Sequence, residues 1–205
     1  MSLKVRPGIL DIAAYVPGDH SLSGEGPVYR MASNESALGP SPKAIEAYRA
    51  LAGELHRYPD GASKALRTAL GRAYGIDPEQ VVCGAGSDDV LQLLVRAYAG
   101  PGDEVLYTQH GFLVYPIAAQ AVGATPVAAA ETDLRTDVDA LLKAVTPRTR
   151  ICFVANPNNP TGSYATSAEL ERLRAGLPDT VLLVIDAAYA EYVELPDYES
   201  GLDLV

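Results

Sequence analysis

Two short apolar runs, at 150–155 and 181–185, constrain the fold of this chain most strongly. Each has the length of a strand and is rich in β-forming residues, which is typical of strands buried on both faces of a parallel sheet. Between them, Thr166 and Glu169 have capping-box spacing and predict a helix that continues to about Arg174. The resulting βαβ unit predicts an open α/β sheet, in which ligands bind beyond the carboxyl ends of the strands.

The rest of the chain alternates in the same way. Helices are predicted from about 42, at 62–74 and at 88–98, and strands near 80–83, 104–108 and 125–130. Gly75 is expected to close the second of these helices, and Gly100 and Gly123 are expected to end two others in the left-handed conformation. This order of elements predicts an α/β fold with a parallel sheet.

A carboxylate directly follows the second apolar run. Asp186 comes after five apolar residues, so we expect it to be largely desolvated and to require a cation. Because no Lys or Arg occurs between Val181 and Val205, the protonated ring nitrogen of a ligand such as pyridoxal phosphate would serve. The alternative is an Asp that caps the next segment through backbone N–H groups. Asn159 and Tyr189 suit hydrogen bonds to a phenolate-like oxygen, and the alternative for Tyr189 is a buried structural tyrosine.

A glycine-containing turn precedes the helix predicted at 88–98. This turn, Gly84–Ser87, would end at a helix N-terminus, where free N–H groups and the helix dipole attract anions. Neither nucleotide motif is present, because no Gly-Lys-Ser/Thr follows and Asp89 replaces the third glycine of the dinucleotide fingerprint. On the residues alone, Asp88 and Asp89 are better explained as acids that compensate the helix dipole.

Six stretches of the chain, in the same order, resemble the class I/II aminotransferases, which are fold-type I pyridoxal-phosphate enzymes. Within that class the likeness is greatest to the histidinol-phosphate aminotransferase family. The loop Asn156–Gly162 is similar to the signature N-P-x-N-P-T-G. The other matching stretches are Asn34–Pro40, Arg57–Asp60, Gly84–Asp89, His110–Tyr115 and Asp186–Tyr189.

The resemblance implies the large domain of an aspartate aminotransferase-like, pyridoxal-phosphate-dependent transferase, with a mostly parallel sheet that is incomplete at its C-terminus. Residues 1–40 would form an N-terminal arm and part of the small domain, and residues 41–205 the N-terminal part of the cofactor-binding large domain. The implied function is transamination between histidinol phosphate and 2-oxoglutarate in histidine biosynthesis. The alternatives are a threonine-phosphate decarboxylase-like enzyme, an aromatic aminotransferase and a non-catalytic fragment.

The resemblance also implies roles for individual residues. Asp186 would pair with the ring nitrogen of pyridoxal phosphate, while Asn159 and Tyr189 would hold its phenolic oxygen. The remaining implied positions are Phe112 on the ring face, Gly86, Ser87 and Asp88 at the phosphate, Tyr58 at the phosphate of the neighbouring subunit of a homodimer, and Tyr15 and Asn34 near the substrate.

The family holds its cofactor through a Schiff-base lysine in a T-x-S-K-like segment. The lysines of this chain are Lys4, Lys43, Lys64 and Lys143, and none has that context. The last three fall on predicted helices, Lys143 on the helix expected between the strands near 125–130 and 150–155, and are expected to be solvated surface charges. We therefore expect that this chain contains no catalytic residue, that it is the N-terminal portion of an enzyme, and that it is inactive by itself.

Composition limits the classes of partner. A net charge of −10 leaves no basic stripe for nucleic acid, and no apolar run has the length of a membrane span or a signal-peptide core. His20, His56 and His110 lack metal-ligand spacing. Cys83 and Cys152, each in a predicted apolar strand, suit a reducing cytosol. We expect a cytoplasmic protein whose partners are an amino donor and a 2-oxo acid, without metal, nucleic acid or membrane.

Overall fold

The structure is a computed structural model that describes residues 4–15 and 33–204. Helices and strands alternate from Ser87 onward, as the sequence predicts. The helices are α1 (Pro42–Leu51), α2 (Lys64–Tyr74), α3 (Ser87–Tyr98), α4 (Val114–Val122), α5 (Val138–Ala144) and α6 (Ser167–Gly176), and the strands are β1 (Glu104–Thr108), β2 (Thr125–Ala129), β3 (Thr149–Ala155) and β4 (Leu182–Asp186).

The four strands form one parallel sheet in the order β2-β1-β3-β4. The chain moves outward from β1 to β2 and then returns to place β3 on the other side of β1. The strand order therefore reverses between β1 and β3, which makes the carboxyl ends of these two strands a topological switch point. The α/β fold with a parallel sheet, predicted from the two apolar runs, is confirmed.

Two apolar clusters cover the two faces of the sheet. One contains Tyr115 and Phe153 and lies against α3 and α4, while the other contains Leu141, Val154 and Leu170 and lies against α5 and α6. Successive residues of β3 alternate between the clusters, so this strand is buried on both faces as predicted. The helix that links β3 to β4 begins with the predicted capping box of Thr166 and Glu169.

Two predictions about strands are wrong. The strand near 80–83 is absent: Pro78–Gln80 is a 3-10 turn, and Val82, which follows it, is 76% exposed. A strand needs a pairing partner, and none of the described strands pairs with this segment. Cys83 accordingly lies outside any strand. In contrast to the prediction, β4 is only half-buried along its length, because it is the outer strand of the described sheet.

Two of the three predictions about glycines at helix ends are confirmed, and one is wrong. Gly75 and Gly123 end α2 and α4 with φ angles of 72° and 83°, as predicted. Gly100 does not end a helix, because α3 stops at Tyr98 with Ala99 in an extended conformation. The left-handed residue of that turn is Gly102, with a φ of 94°.

Contacts between residues divide the chain into two compact units. One unit takes in residues 4–14 and 84–204, and the other takes in the described residues from Tyr15 to Cys83, which include α1 and α2. The domain boundary near residue 40 remains a prediction. In the part of the chain that the structure describes, no helix is both long and apolar enough to cross a membrane.

Glu104, at the start of β1, carries a buried carboxylate that is 5% exposed. It accepts a hydrogen bond from Thr146 Oγ1 and pairs with the Arg148 guanidinium. The hydrogen bond from Thr146, helped by Arg148, holds the pKa of Glu104 below its ordinary value of 4.5. A lowered pKa stabilises the fold above the unfolded-state pKa, and this stabilisation is lost as the pH falls through the folded-state pKa.

We therefore predict that Thr146→Val lowers the free energy of unfolding by about 1–3 kcal/mol at neutral pH, since it removes a donor to a buried charge. The deficit should shrink as the pH falls below the ordinary pKa of Glu104. Urea unfolding as a function of pH measures both effects. Thr180→Val, at an exposed turn, is the matched control and should change stability by less than about 0.5 kcal/mol. An equal deficit at acidic and neutral pH would contradict this account.

Candidate active site

The candidate site lies at the switch point, beyond the carboxyl ends of β1 and β3. The loop after β1 carries His110 and Phe112, and the loop after β3 runs through Asn156–Gly162. Asp186 is the last residue of the neighbouring strand β4, where it is in register with Ala155. The described fold thus brings the ends of three strands to one edge of the sheet.

Asn156 fixes the end of β3 to its surroundings. Its side chain is fully buried and makes two hydrogen bonds with the backbone of Ala165, at 2.7 and 3.1 Å. Its N–H donates to the carbonyl of Asp186 at 2.9 Å, and its carbonyl accepts from the Tyr198 hydroxyl at 2.9 Å. The side-chain amide and the backbone N–H and carbonyl of Asn156 are therefore all hydrogen-bonded within the fold. Asn156 supports the loop and is not a candidate for ligand binding.

Asn158 joins the loop after β3 to the loop after β1. Its Nδ2 donates to the carbonyl of His110 at 3.2 Å and to Thr161 Oγ1 at 2.9 Å. Its Oδ1 is buried, and within the described residues it is the one buried side-chain polar atom that has no hydrogen-bond partner. A buried acceptor without a partner is uncommon, and it fits a donor supplied by a ligand or by water.

Glu131 holds the loop after β1 from its other side. One carboxylate oxygen accepts from the backbone N–H of His110 at 2.9 Å, and the other lies 2.8 Å from the Nδ1 of the same residue. The Glu131 side chain is only 3% exposed. His110 therefore anchors the loop that leads to Phe112.

Tyr115 connects the aromatic part of the site to Asp186. Its ring is fully buried, stacks on Phe153 with centroids 4.6 Å apart, and meets the half-buried Phe112 edge-on at 5.9 Å. Its hydroxyl donates to Asp186 Oδ2 at 2.9 Å. Burial, together with the negative charge of Asp186 and this hydrogen bond, raises the pKa of Tyr115, so the phenol stays protonated.

Asp186 is half-buried, and the prediction that it is largely desolvated is wrong because β4 is the outer described strand. Its Oδ1 accepts from the N–H of Ala188 at 3.2 Å, which is the local capping bond considered as an alternative. Its Oδ2 faces Tyr115. Among the described residues, no Lys, Arg or His forms an ion pair with this carboxylate.

The two predicted partners of a phenolic oxygen lie in the loops that follow β3 and β4. Asn159 is half-buried, three residues after the locked Asn156. Tyr189 is also half-buried, immediately before the 3-10 turn Ala190–Tyr192, and its ring centroid lies 6.2 Å from that of Tyr192. Their roles toward a ligand remain predictions.

The N-terminus of α3 has the features of an anion site. Gly86 is its N-cap residue, with a φ of 89° and no side-chain cap, and Ser87 and Asp88 are exposed. Asp89 instead turns its carboxylate back onto the N–H of Ala85 at 3.0 Å. A Cβ added at Gly86 would meet nothing within 4 Å, so the N-cap position itself is open.

The other predicted site residues belong to the second compact unit. Tyr58 is fully exposed, Tyr15 is 54% exposed, and Asn34 has a φ of 53°. All four lysines of the sequence are exposed, and Lys43, Lys64 and Lys143 lie on α1, α2 and α5 as predicted. No group of three or more His, Cys, Asp or Glu residues that could hold a metal ion occurs within residues 4–15 and 33–204.

Sequence reasoning assigned no role to three supporting residues of the site, namely Tyr115, Glu131 and Asn158. Tyr115 stood within a matched stretch, but the sequence does not show that its hydroxyl reaches Asp186. Asn158 occupies the variable position of the N-P-x-N-P-T-G signature, which gives no role to it. No motif in the sequence includes Glu131. Each of these three residues makes a long-range hydrogen bond, with a partner between 21 and 71 residues away.

Comparison with known proteins identifies the class to which this fold and site belong. Residues 27–204 match the family model of class I and II aminotransferases, and the chain belongs to that family.

Two curated relatives are histidinol-phosphate aminotransferases. That of Rhodospirillum centenum is 66% identical and that of Paramagnetospirillum magneticum 60% identical, each over 200 residues that make up 98% of this chain and 55% of the relative. The chain thus spans about half the length of these relatives. A solved histidinol-phosphate aminotransferase from Sinorhizobium meliloti, in complex with pyridoxal-5′-phosphate, superposes with a TM-score of 0.76 at 33% identity, covering 82% of this chain and 46% of that one.

We predict that Asn156→Ala destabilises the fold by at least about 1–3 kcal/mol, because it leaves the buried N–H and carbonyl of Ala165 unpaired. Asn159→Ala is the matched control, since the same residue type three positions later is half-exposed and has no described hydrogen bond in the fold. Its effect should stay within about 0.5 kcal/mol. Urea unfolding of both variants makes the comparison, and equal losses would show that Asn156 does not lock the loop.

Proposed function

We propose that the protein is a pyridoxal-phosphate-dependent aminotransferase that transfers an amino group between histidinol phosphate and 2-oxoglutarate. The observation that carries the proposal is Asp186, a carboxylate without an ionic partner among the described residues, at the carboxyl end of β4 and hydrogen-bonded only by neutral donors. Histidinol phosphate as the substrate is supported by the names of relatives that are 56–66% identical to this chain.

The residues present fit the cofactor. The uncapped N-terminus of α3, with Gly86, Ser87 and Asp88, would bind its phosphate through backbone N–H groups and the Ser87 hydroxyl. Asn159 and Tyr189 would donate to its phenolic oxygen, and the half-buried Phe112 would lie against its ring. These groups occupy the ends of three neighbouring strands and one helix, as an α/β ligand site does.

Asp186 would determine how the bound ring behaves. Its carboxylate would accept a hydrogen bond from the ring nitrogen and hold the proton on that atom, because no described cation competes for its charge. When bound, pyridoxal phosphate would act as an electron sink for the bonds of the amino donor. The two neutral donors to Asp186 would keep the carboxylate oriented without neutralising it.

Three further residues would contact the neighbouring subunit's cofactor or the substrate. Tyr58, which is fully exposed in this chain, would reach the phosphate in the neighbouring site of a homodimer. Tyr15 and Asn34 would contact the amino donor or the 2-oxo acid. A cytoplasmic location is supported by the two free cysteines. All four lysines are exposed and none has the T-x-S-K-like context, so turnover would require a lysine that these four do not replace.

The intact gene product, assayed with pyridoxal phosphate, histidinol phosphate and 2-oxoglutarate, should form glutamate. Asp186→Asn should lower kcat by about 100-fold or more, because the ring nitrogen loses its charged partner. Asp179→Asn, at the exposed turn before β4, is the control and should leave kcat unchanged. No glutamate from histidinol phosphate, or loss of carbon dioxide from threonine phosphate instead, would reject the proposed reaction.

A further inference from the structure

We propose that Tyr115 is a positioning residue that fixes the Asp186 carboxylate in the orientation that receives the ring nitrogen of the cofactor. The inference rests on the proposed function and adds a residue to it. The bond that motivates it joins Tyr115 to Asp186 across 71 residues of sequence, between the first turn of α4 and the end of β4.

The tyrosine ring is itself held in place. It is fully buried, its plane lies 4° from that of Phe153, and it makes edge-type contacts with the rings of Phe112 and Tyr107. A ring packed in this way has one available orientation, because interiors are close-packed and side chains occupy defined rotamers. The hydroxyl is therefore a fixed donor and does not need to be ordered when a ligand binds.

Each oxygen of Asp186 has one donor from the protein. Oδ2 accepts from Tyr115 at 2.9 Å and Oδ1 accepts from the N–H of Ala188 at 3.2 Å. Two bonds at opposite ends of the carboxylate fix its plane as well as its position. Since a carboxylate oxygen can accept two hydrogen bonds, acceptor capacity remains for a ligand.

Both donors are neutral, which distinguishes this arrangement from a salt bridge. An Arg or Lys beside Asp186 would favour the carboxylate, but it would also cancel the field that holds a proton on a ring nitrogen. A phenol that keeps its proton orients the carboxylate and leaves its charge in place. Burial raises the pKa of Tyr115, and Asp186 raises it further, so the phenol remains a donor at neutral pH.

The same ring also supports the other face of the proposed site. Phe112, which would lie on the cofactor ring, meets Tyr115 at an interplanar angle of 88° with centroids 5.9 Å apart. Tyr115 thus contacts both the residue that would hold the ring nitrogen and the residue that would cover the ring. The hydroxyl of Tyr115 contacts Asp186 and its ring contacts Phe112, so a substitution that removes only the hydroxyl separates the two contacts.

Tyr115→Phe tests the hydroxyl alone, because phenylalanine retains the stack on Phe153. Tyr107→Phe is the matched control, since Tyr107 belongs to the same aromatic cluster and has no described bond to Asp186. The intact gene product would be titrated with pyridoxamine phosphate, which has no aldehyde and binds without a covalent bond. A second titration would use its analogue in which C–H replaces the ring nitrogen.

We expect the wild type to bind pyridoxamine phosphate more tightly than the analogue. Tyr115→Phe should weaken the binding of pyridoxamine phosphate about tenfold, which is the effect of losing one hydrogen bond to a charged group. The affinity for the analogue should stay within about twofold of the wild-type value. Tyr107→Phe should change neither affinity. A variant with 3-fluorotyrosine at position 115 keeps the donor and should retain the wild-type preference, which excludes a general disturbance of the core.

Equal weakening of both ligands by Tyr115→Phe would show a purely structural role and overturn the inference, as would unchanged binding of both. These outcomes differ from failure of the proposed function. In that case the wild type itself would bind neither compound, or would bind both equally, before any substitution is made.

Discussion

The backbone of Asn156 donates a hydrogen bond to the carbonyl of Asp186 at 2.9 Å, extending the parallel pairing of β3 and β4 to the last residue of β4. The loop after β3 and the Asp186 carboxylate both depend on this junction. It sets where the loop after β3 begins, and the buried Asn156 amide then fixes that loop to Ala165. It also sets where the Asp186 carboxylate leaves the sheet, within reach of Tyr115 on α4.

Local signals in the sequence predicted the elements around this junction well. The strand at 104–108, the capping box of Thr166 and Glu169 and the helix ends at Gly75 and Gly123 all depend on residues close in sequence. The strand expected near 80–83 and the full burial of β4 were wrong, because both depend on a neighbouring strand in the sheet. Apolar composition alone does not reveal whether such a neighbour is present.

The sequence pointed to the residues that are proposed to face a ligand, and it did not point to the residues that support them. From the sequence, Asp186 was expected either to pair with a ring nitrogen or to cap the following segment. In the structure, Oδ1 of Asp186 makes the capping bond and Oδ2 accepts a hydrogen bond from Tyr115. The supports, such as Glu131 behind His110, act across many residues of sequence and have no fixed spacing. The match to the class I and II aminotransferase family covers the stretch of chain that holds both the ligand-facing candidates and their supports.

The central claim is that Asp186, oriented by neutral donors, keeps a proton on the ring nitrogen of bound pyridoxal phosphate. The most direct measurement is the nitrogen NMR chemical shift of isotopically labelled cofactor bound to the intact gene product at neutral pH. A shift characteristic of a protonated pyridine, which moves to that of a neutral pyridine in Asp186→Asn, is the predicted result. A neutral-pyridine shift in the wild type would contradict the account.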